Sequence, residues 1–162
     1  MKKTQILSIF IIFTIILFSS CSKYDENNGI SLKSSKARLS KTWKIKTIYG
    51  TQNQVIPIKD FIDLMSEKEL NYYGITPYFK FTFEKNQEMD FIIGAGFVTI
   101  HNPGIWKFID NEEMIEIDVQ ENTFYGIPVI NEEYKILRLT NSDLWMEYKK
   151  NNETYEILLK SK

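Results

Sequence analysis

"YFKFTFE", residues 78–84, is followed after three residues by "EMDFII", residues 88–93. Phe79, Phe81 and Phe83 fall on one side of an extended chain, with Lys80, Thr82 and Glu84 on the other. Successive side chains of a strand point to opposite faces, so this period of two predicts a half-buried β-strand. "KNQ" supplies a turn, and Met89, Phe91 and Ile93 return in the same apolar phase. Two such strands joined tightly make a hairpin.

The pattern extends both ways. Upstream, "TWKIKTIYG" (42–50) sets Trp43, Ile45, Thr47 and Tyr49 against Lys44, Lys46 and Ile48. Downstream, Gly94 and Gly96 mark a tight turn or bulge before "FVTI", and "HNPG" (101–104) reads as a turn. "IWKFID" (105–110), "MIEIDV" (114–119), "EYKILRL" (133–139), "LWMEYK" (144–149) and "TYEILLK" (154–160) follow, separated by "NEE", "TNSD" and "NN" among other polar breaks. Between them, Gly126 and Pro128 interrupt the stretch from Phe124 to Ile130. Short strands at a spacing of about 8–12 residues predict an up-and-down barrel or a sandwich. Aromatic residues make up 14% of the chain, a composition that suits β structure. One segment differs. In "PIKDFIDLMSEKEL" (57–70) a proline opens the run, and Ile58, Phe61, Ile62 and Met65 recur at helical spacing. A short amphipathic helix is expected between the first two long strands.

The first 20 residues have a different character. Lys2 and Lys3 precede an almost wholly apolar run from Ile6 to Phe18, and Ser19 and Ser20 lead to Cys21, the single cysteine. Thirteen or so helical residues rise about 20 Å, too little for a hydrocarbon core of roughly 30 Å. The run suits a signal-peptide core. With Cys21 it resembles the bacterial lipoprotein signal, in which the cysteine becomes the first mature residue and is acylated. Phe18 stands where that signal usually has Leu, Val or Ile. The resemblance implies residues 1–20 as signal peptide, Cys21 as lipidation site and residues 21–37 as a polar tether. It also implies attachment to the outer membrane, because Ser22 replaces the aspartate often associated with inner-membrane retention. A lipidated thiol is no longer available for a disulfide, a metal or nucleophilic attack.

Residues 38–162 then form the folded domain. The whole chain carries a net charge of −1, and without Lys2 and Lys3 it is about −3. Nucleic-acid binders normally show a basic face or stripe, so no nucleic-acid partner is expected. The strand pattern resembles the bacterial lipocalin-like lipoproteins and, more broadly, the calycin group. Their first strand carries a Gly-x-Trp; "LSKTWKI" keeps Trp43 and has Lys41 where glycine is expected. This resemblance implies an all-β, antiparallel barrel of about eight strands. It also implies a cation packed across Trp43, with Arg138 the first candidate and Lys135 and Lys149 its rivals.

Catalytic chemistry finds little footing. His101 is the only histidine, and one alone makes neither a triad nor a metal cluster. Glu112 and Glu113 fall in a turn, and Glu116 and Asp118 on an alternating polar face, as solvated strand charges do. Neither a phosphate loop nor a G-x-S-x-G elbow is found. No enzyme, cofactor or metal is expected. Phe79, Phe81, Phe83, Phe91, Trp106 and Phe108 either fill the barrel or line a pocket for a small apolar ligand. The first function class is therefore a monomeric, lipid-anchored binding barrel. The second is an envelope interaction module or enzyme inhibitor, reading a protein or glycan through loops such as "ENTFYGIPV".

Overall fold

The computed structural model describes residues 34–66, 77–120 and 130–161. The segment carrying Cys21 and the loop "ENTFYGIPV" lie outside the described residues. The elements in chain order are α1 (Ser35–Leu39), β1 (Thr42–Tyr49), β2 (Val55–Ile56), α2 (Ile58–Ser66), β3 (Tyr78–Phe83), β4 (Glu88–Ala95) and β5 (Val98–Ile109). They continue with β6 (Met114–Val119), β7 (Ile130–Leu139), β8 (Asp143–Lys150) and β9 (Glu153–Ser161).

From β3 to β9 each strand pairs antiparallel with the next, and β1 pairs with both β3 and β9. The eight long strands thus close into an up-and-down barrel with a small helix after the first strand, as the alternation and the calycin-type resemblance implied. Closure matters energetically because it removes the unpaired strand edges that an open sheet exposes. β2 is an addition to this plan: it pairs Ile56 with Ile48 and Val55 with Tyr49 along the edge of β1 that β3 leaves uncovered.

The hairpin turns carry the chemistry that left-handed backbone requires. Gly96 (φ 60°) opens the two-residue link between β4 and β5, and Asn151 and Asn152 (φ 52° and 63°) form the link between β8 and β9. Both placements match two-residue turns whose twist suits a hairpin. Thr140 closes the β7–β8 turn by accepting hydrogen bonds at Oγ1 from the amides of Ser142 (3.2 Å) and Asp143 (2.9 Å).

Three sequence expectations are corrected. "HNPG" is not a turn: it lies inside the 12-residue β5, with His101 opposite Ile92 and Pro103 opposite Asp90. Asn102 points inward, fully buried, and its Nδ2 donates to the Phe91 carbonyl at 2.9 Å. Gly104 is needed for close approach, since a Cβ there would stand 2.3 Å from the Asp118 carbonyl oxygen. In β1 the register against β9 shifts between Ile45 and Thr47. That bulge inserts one residue and exchanges the faces, so Ile48 is buried and Tyr49 is not. Finally, α1 begins inside the stretch read as tether. The Ser34 side chain caps it by accepting from the Ala37 amide at 3.2 Å, and both Arg38 and Leu39 are buried.

α1 and the ends of β1, β7 and β9 close the base of the barrel. Trp43 is fully buried there, and its Nε1 donates to the Leu39 carbonyl at 2.8 Å. α2 lies at the other end, the mouth. Within its predicted stripe Ile58 packs on the core and Phe61 is buried; Ile62 and Met65 have side chains outside the described set.

Candidate functional site

The inward positions of β3, β4 and β5 form a continuous aromatic wall. Phe91 stacks on Phe81 (ring centroids 5.0 Å apart) and on Phe79 (6.1 Å). Phe81 stacks on Phe83 at 6.0 Å, Phe83 meets Trp106 edge-on at 5.7 Å, and Trp106 meets Phe108 edge-on at 5.3 Å. Five of the six rings are buried, and Phe108 is half-buried against them. All six residues proposed as lining therefore share the interior. Edge-to-face and offset pairs of this kind each contribute about 0.5–1.5 kcal/mol beyond simple burial.

The opposite wall, β7 to β9, is different, and sequence reading missed it. Tyr134, Tyr148 and Tyr155 lie side by side on the inner face, with Tyr134 stacked on Tyr148 at 5.2 Å and Tyr148 paired in register with Tyr155. Phe61 from α2 closes over them, 5.9 Å from Tyr148 and 5.4 Å from Tyr155. One step nearer the mouth, the same inward phase carries Glu132, Lys150 and Glu153. Tyr148 donates to Glu132 at 2.8 Å, Tyr155 donates to Glu153 at 2.5 Å, and Lys150 sits 3.7 Å from Glu132. Inward tyrosines and charges on strands that could hold aliphatic residues were the available signal. "EYKILRL" and "TYEILLK" do show it, but only if the phase is known.

Burial pushes the Tyr155 hydroxyl up to about 12, with the Glu153 hydrogen bond and charge adding to it. Burial likewise holds Tyr134 well above the ordinary tyrosine value, helped by Tyr148 and Glu132. A raised folded-state value means that the native state keeps protons which the unfolded chain has released. Stability is therefore full below about pH 10, the unfolded tyrosine value, and falls as pH rises toward 12. Chemical denaturation across this range should show midpoints declining with pH, and Tyr155→Phe should flatten the decline. An unchanged slope in that variant would contradict this assignment.

The proposed barrel-closing pair is corrected. Arg138 is exposed on the outer face, its guanidinium 5.8 Å from the Trp145 ring. The β7 register shifts between Ile136 and Arg138, which turns the arginine away from the interior. Lys41 is a cation over Trp43, with Nζ 5.4 Å from the ring and 2.7 Å from the Asn141 carbonyl oxygen, to which it donates. Lys41 is the residue that stands in the glycine position of the family motif.

His101 is a strand residue on the outer face, with Nδ1 2.5 Å from Asp90 Oδ2. Glu116 pairs with Lys107 at 2.9 Å on the same outer surface. Among the described residues no three His, Cys, Asp or Glu side chains gather as a metal site would require. No helix of the described residues is long and apolar enough to cross a membrane.

No protein-family model matches the chain, and neither does any curated protein. Among solved structures, a Schistosoma mansoni fatty acid binding protein in complex with arachidonic acid is similar at 10% identity, covering 80% of this chain and 99% of that one, with a TM-score of 0.41.

Proposed function

We propose that this chain is a non-catalytic, lipid-anchored lipoprotein of the cell envelope whose barrel binds a small, largely apolar molecule. The observation that carries the reading is the asymmetry of the interior. An aromatic wall on β3–β5 faces a tyrosine row on β7–β9 that ends in Glu132, Lys150 and Glu153 at the mouth. Binding sites for small molecules combine a mainly apolar lining with a few placed polar groups that orient the ligand. Here the apolar part of a ligand meets phenylalanine, and its polar end meets the tyrosine hydroxyls and the carboxylates at the mouth. Anchoring at Cys21 holds the protein on the membrane, since each buried methylene adds about 0.8 kcal/mol and two or three chains suffice for stable attachment.

Titrating the full-length protein, extracted in mild detergent, with an apolar polarity-sensitive fluorophore tests the barrel. Native mass spectrometry of the same sample reports any molecule retained from the cell. The expected result is saturable binding of one equivalent, displaced by long-chain amphiphiles. Linear, non-saturating fluorescence with no retained molecule would sink the carrier reading. In the same cells, Cys21→Ser should move the protein from the membrane to the soluble fraction; unchanged fractionation would remove the anchor.

A surface-recognition role is the second reading, and one observation favours it. Phe97, at the tip of the β4–β5 turn, is fully exposed, and Val98 beside it is 56% exposed. Both lie at the mouth end, where the ends of β6 and β7 are joined by "ENTFYGIPV". Capture of an envelope protein that Phe97→Ser abolishes, in a barrel that binds no fluorophore, would favour this role over the carrier.

A further inference from the structure

We infer that the outer face of β1, with its neighbours β3 and β9, is a basic surface that docks against an anionic lipid bilayer. Lys44 lies directly opposite Lys80 of β3 on one side and Lys160 of β9 on the other. Three lysines thus stand in one cross-strand row, and Lys46 is exposed two residues along β1. Like charges placed directly opposite one another work against the sheet. A chain with more acidic than basic residues overall has ample means to neutralise them. It does so once: Lys160 pairs with Asp143. The Asp143 carboxyl is lifted somewhat by partial burial, but the Lys160 and Ser142 hydrogen bonds and the charges of Lys160 and Arg138 hold it below the usual value. Lys44 and Lys80 instead face the Tyr78 ring, at 5.7 and 4.5 Å, and among the described residues neither they nor Lys46 pair with a carboxylate. Tyr78 itself lies flat over Gly94, where an added Cβ would stand 2.0 Å from the ring. The outward residues of the described part of β1 near the base are Thr42, Lys44 and Lys46, with no acid among them.

The place of this face in the chain identifies the occupant. The lysine row is one residue beyond the Trp43 pairs, close to the base, and α1 brings the N-terminal segment in at that same end. Exposed Lys36 on α1 adds to the same end. Twelve residues lie between Cys21 and Ser34, and the chain from one to the other, fully extended, spans about 45 Å at most. A barrel held by Cys21 therefore keeps its base within reach of the bilayer surface. Each lysine close to an anionic bilayer contributes an attraction worth about a fivefold gain in association. The inference rests on the anchor reading for the direction from which the membrane approaches, and on the lysine register for the charge.

The test is amine-selective labelling of the full-length acylated protein, read lysine by lysine by peptide mass spectrometry. The protein is reconstituted in phosphatidylcholine vesicles with and without phosphatidylglycerol. Lys44, Lys46, Lys80 and Lys160 should label roughly fivefold more slowly where phosphatidylglycerol is present. High salt should abolish the difference, because it shortens the screening length to a few ångströms. Lys107 on β5 and Lys135 on β7, on other faces, should label equally in both vesicles. The double variant Lys44→Gln, Lys80→Gln should keep or raise its melting temperature, since it relieves the like-charge row, and lose the protection of Lys46 and Lys160. Equal labelling of the row in both vesicles overturns the inference. So does equal protection by dissolved inorganic phosphate, which would make the partner a free anion. Failure of the anchor is seen separately, as an unacylated Cys21 and a protein that does not float with phosphatidylcholine vesicles. An excess of phosphatidylglycerol vesicles then still decides the face.

Discussion

Replacing Trp43 with alanine should cost about 3–5 kcal/mol, the range for truncating a large, fully buried aromatic side chain. The ring is wholly buried at the base, and its Nε1 bond to Leu39 ties α1 to β1. Its loss leaves a cavity and removes a donor from the Leu39 carbonyl, which keeps only the Lys41 amide at 2.8 Å, so the link between α1 and β1 weakens as the base thins. Denaturant unfolding followed by near-ultraviolet circular dichroism measures the cost. A double-mutant cycle then separates the two cations. Lys41→Ala should couple to Trp43→Ala by about 0.5–1 kcal/mol, the size of a cation–π contact at a partly exposed site. Arg138→Ala should be additive with it to within about 0.5 kcal/mol, because they share no contact. Coupling to Arg138 instead would mean that the outer-face position of that arginine is wrong.

Phe91→Ala is the second large effect, again about 3–5 kcal/mol. Phe91 is the one ring of the wall that stacks on both Phe79 and Phe81, so removing it strips contacts from two other buried side chains. Phe91→Leu keeps most of the volume and should cost less than about 1.5 kcal/mol. The pair of variants also bears on ligand binding. If the wall forms part of the site, Phe91→Leu should weaken fluorophore binding although its stability is nearly normal. A variant of normal stability and unchanged affinity would place the ligand elsewhere. Both quantities come from one preparation, by denaturation and by fluorescence titration.

The residues that the sequence placed well are those whose fate depends on near neighbours. The alternation of Phe79, Phe81 and Phe83, and of Met89, Phe91 and Ile93, specified two strands and their inner faces. Side-chain direction in a strand has a fixed period of two, and a short turn permits only the antiparallel return. "MIEIDV" at 114–119 coincides with β6 for the same reason. The helix after the first strand was legible from Pro57 and the spacing of Ile58 and Phe61. Repetition of these local units narrowed the architecture to an up-and-down barrel or a sandwich, and the pairing of β1 with β9 decided for the closed barrel.

What only the tertiary structure decided depends on partners far away in the chain. The bulge at Ile45–Thr47 exists because β9 sets the register of β1, and it moved Ile48 into the core against the local pattern. "HNPG" satisfies every local rule for a turn, yet the ladders to β4 and β6 hold it extended. Arg138, with Lys135 and Lys149 as rivals, was the cation expected over Trp43; the β7 shift sent Arg138 outward, and Lys41, read only as a departure from the glycine of the motif, came over the ring. Glu132, Lys150 and Glu153 read as ordinary polar residues until three strands aligned them at the mouth. Lys44, Lys80 and Lys160, scattered over more than a hundred positions, became one row through strand pairing. Period two states which residues share a face of one strand; which faces meet across strands is settled by register, and register is a property of the closed barrel.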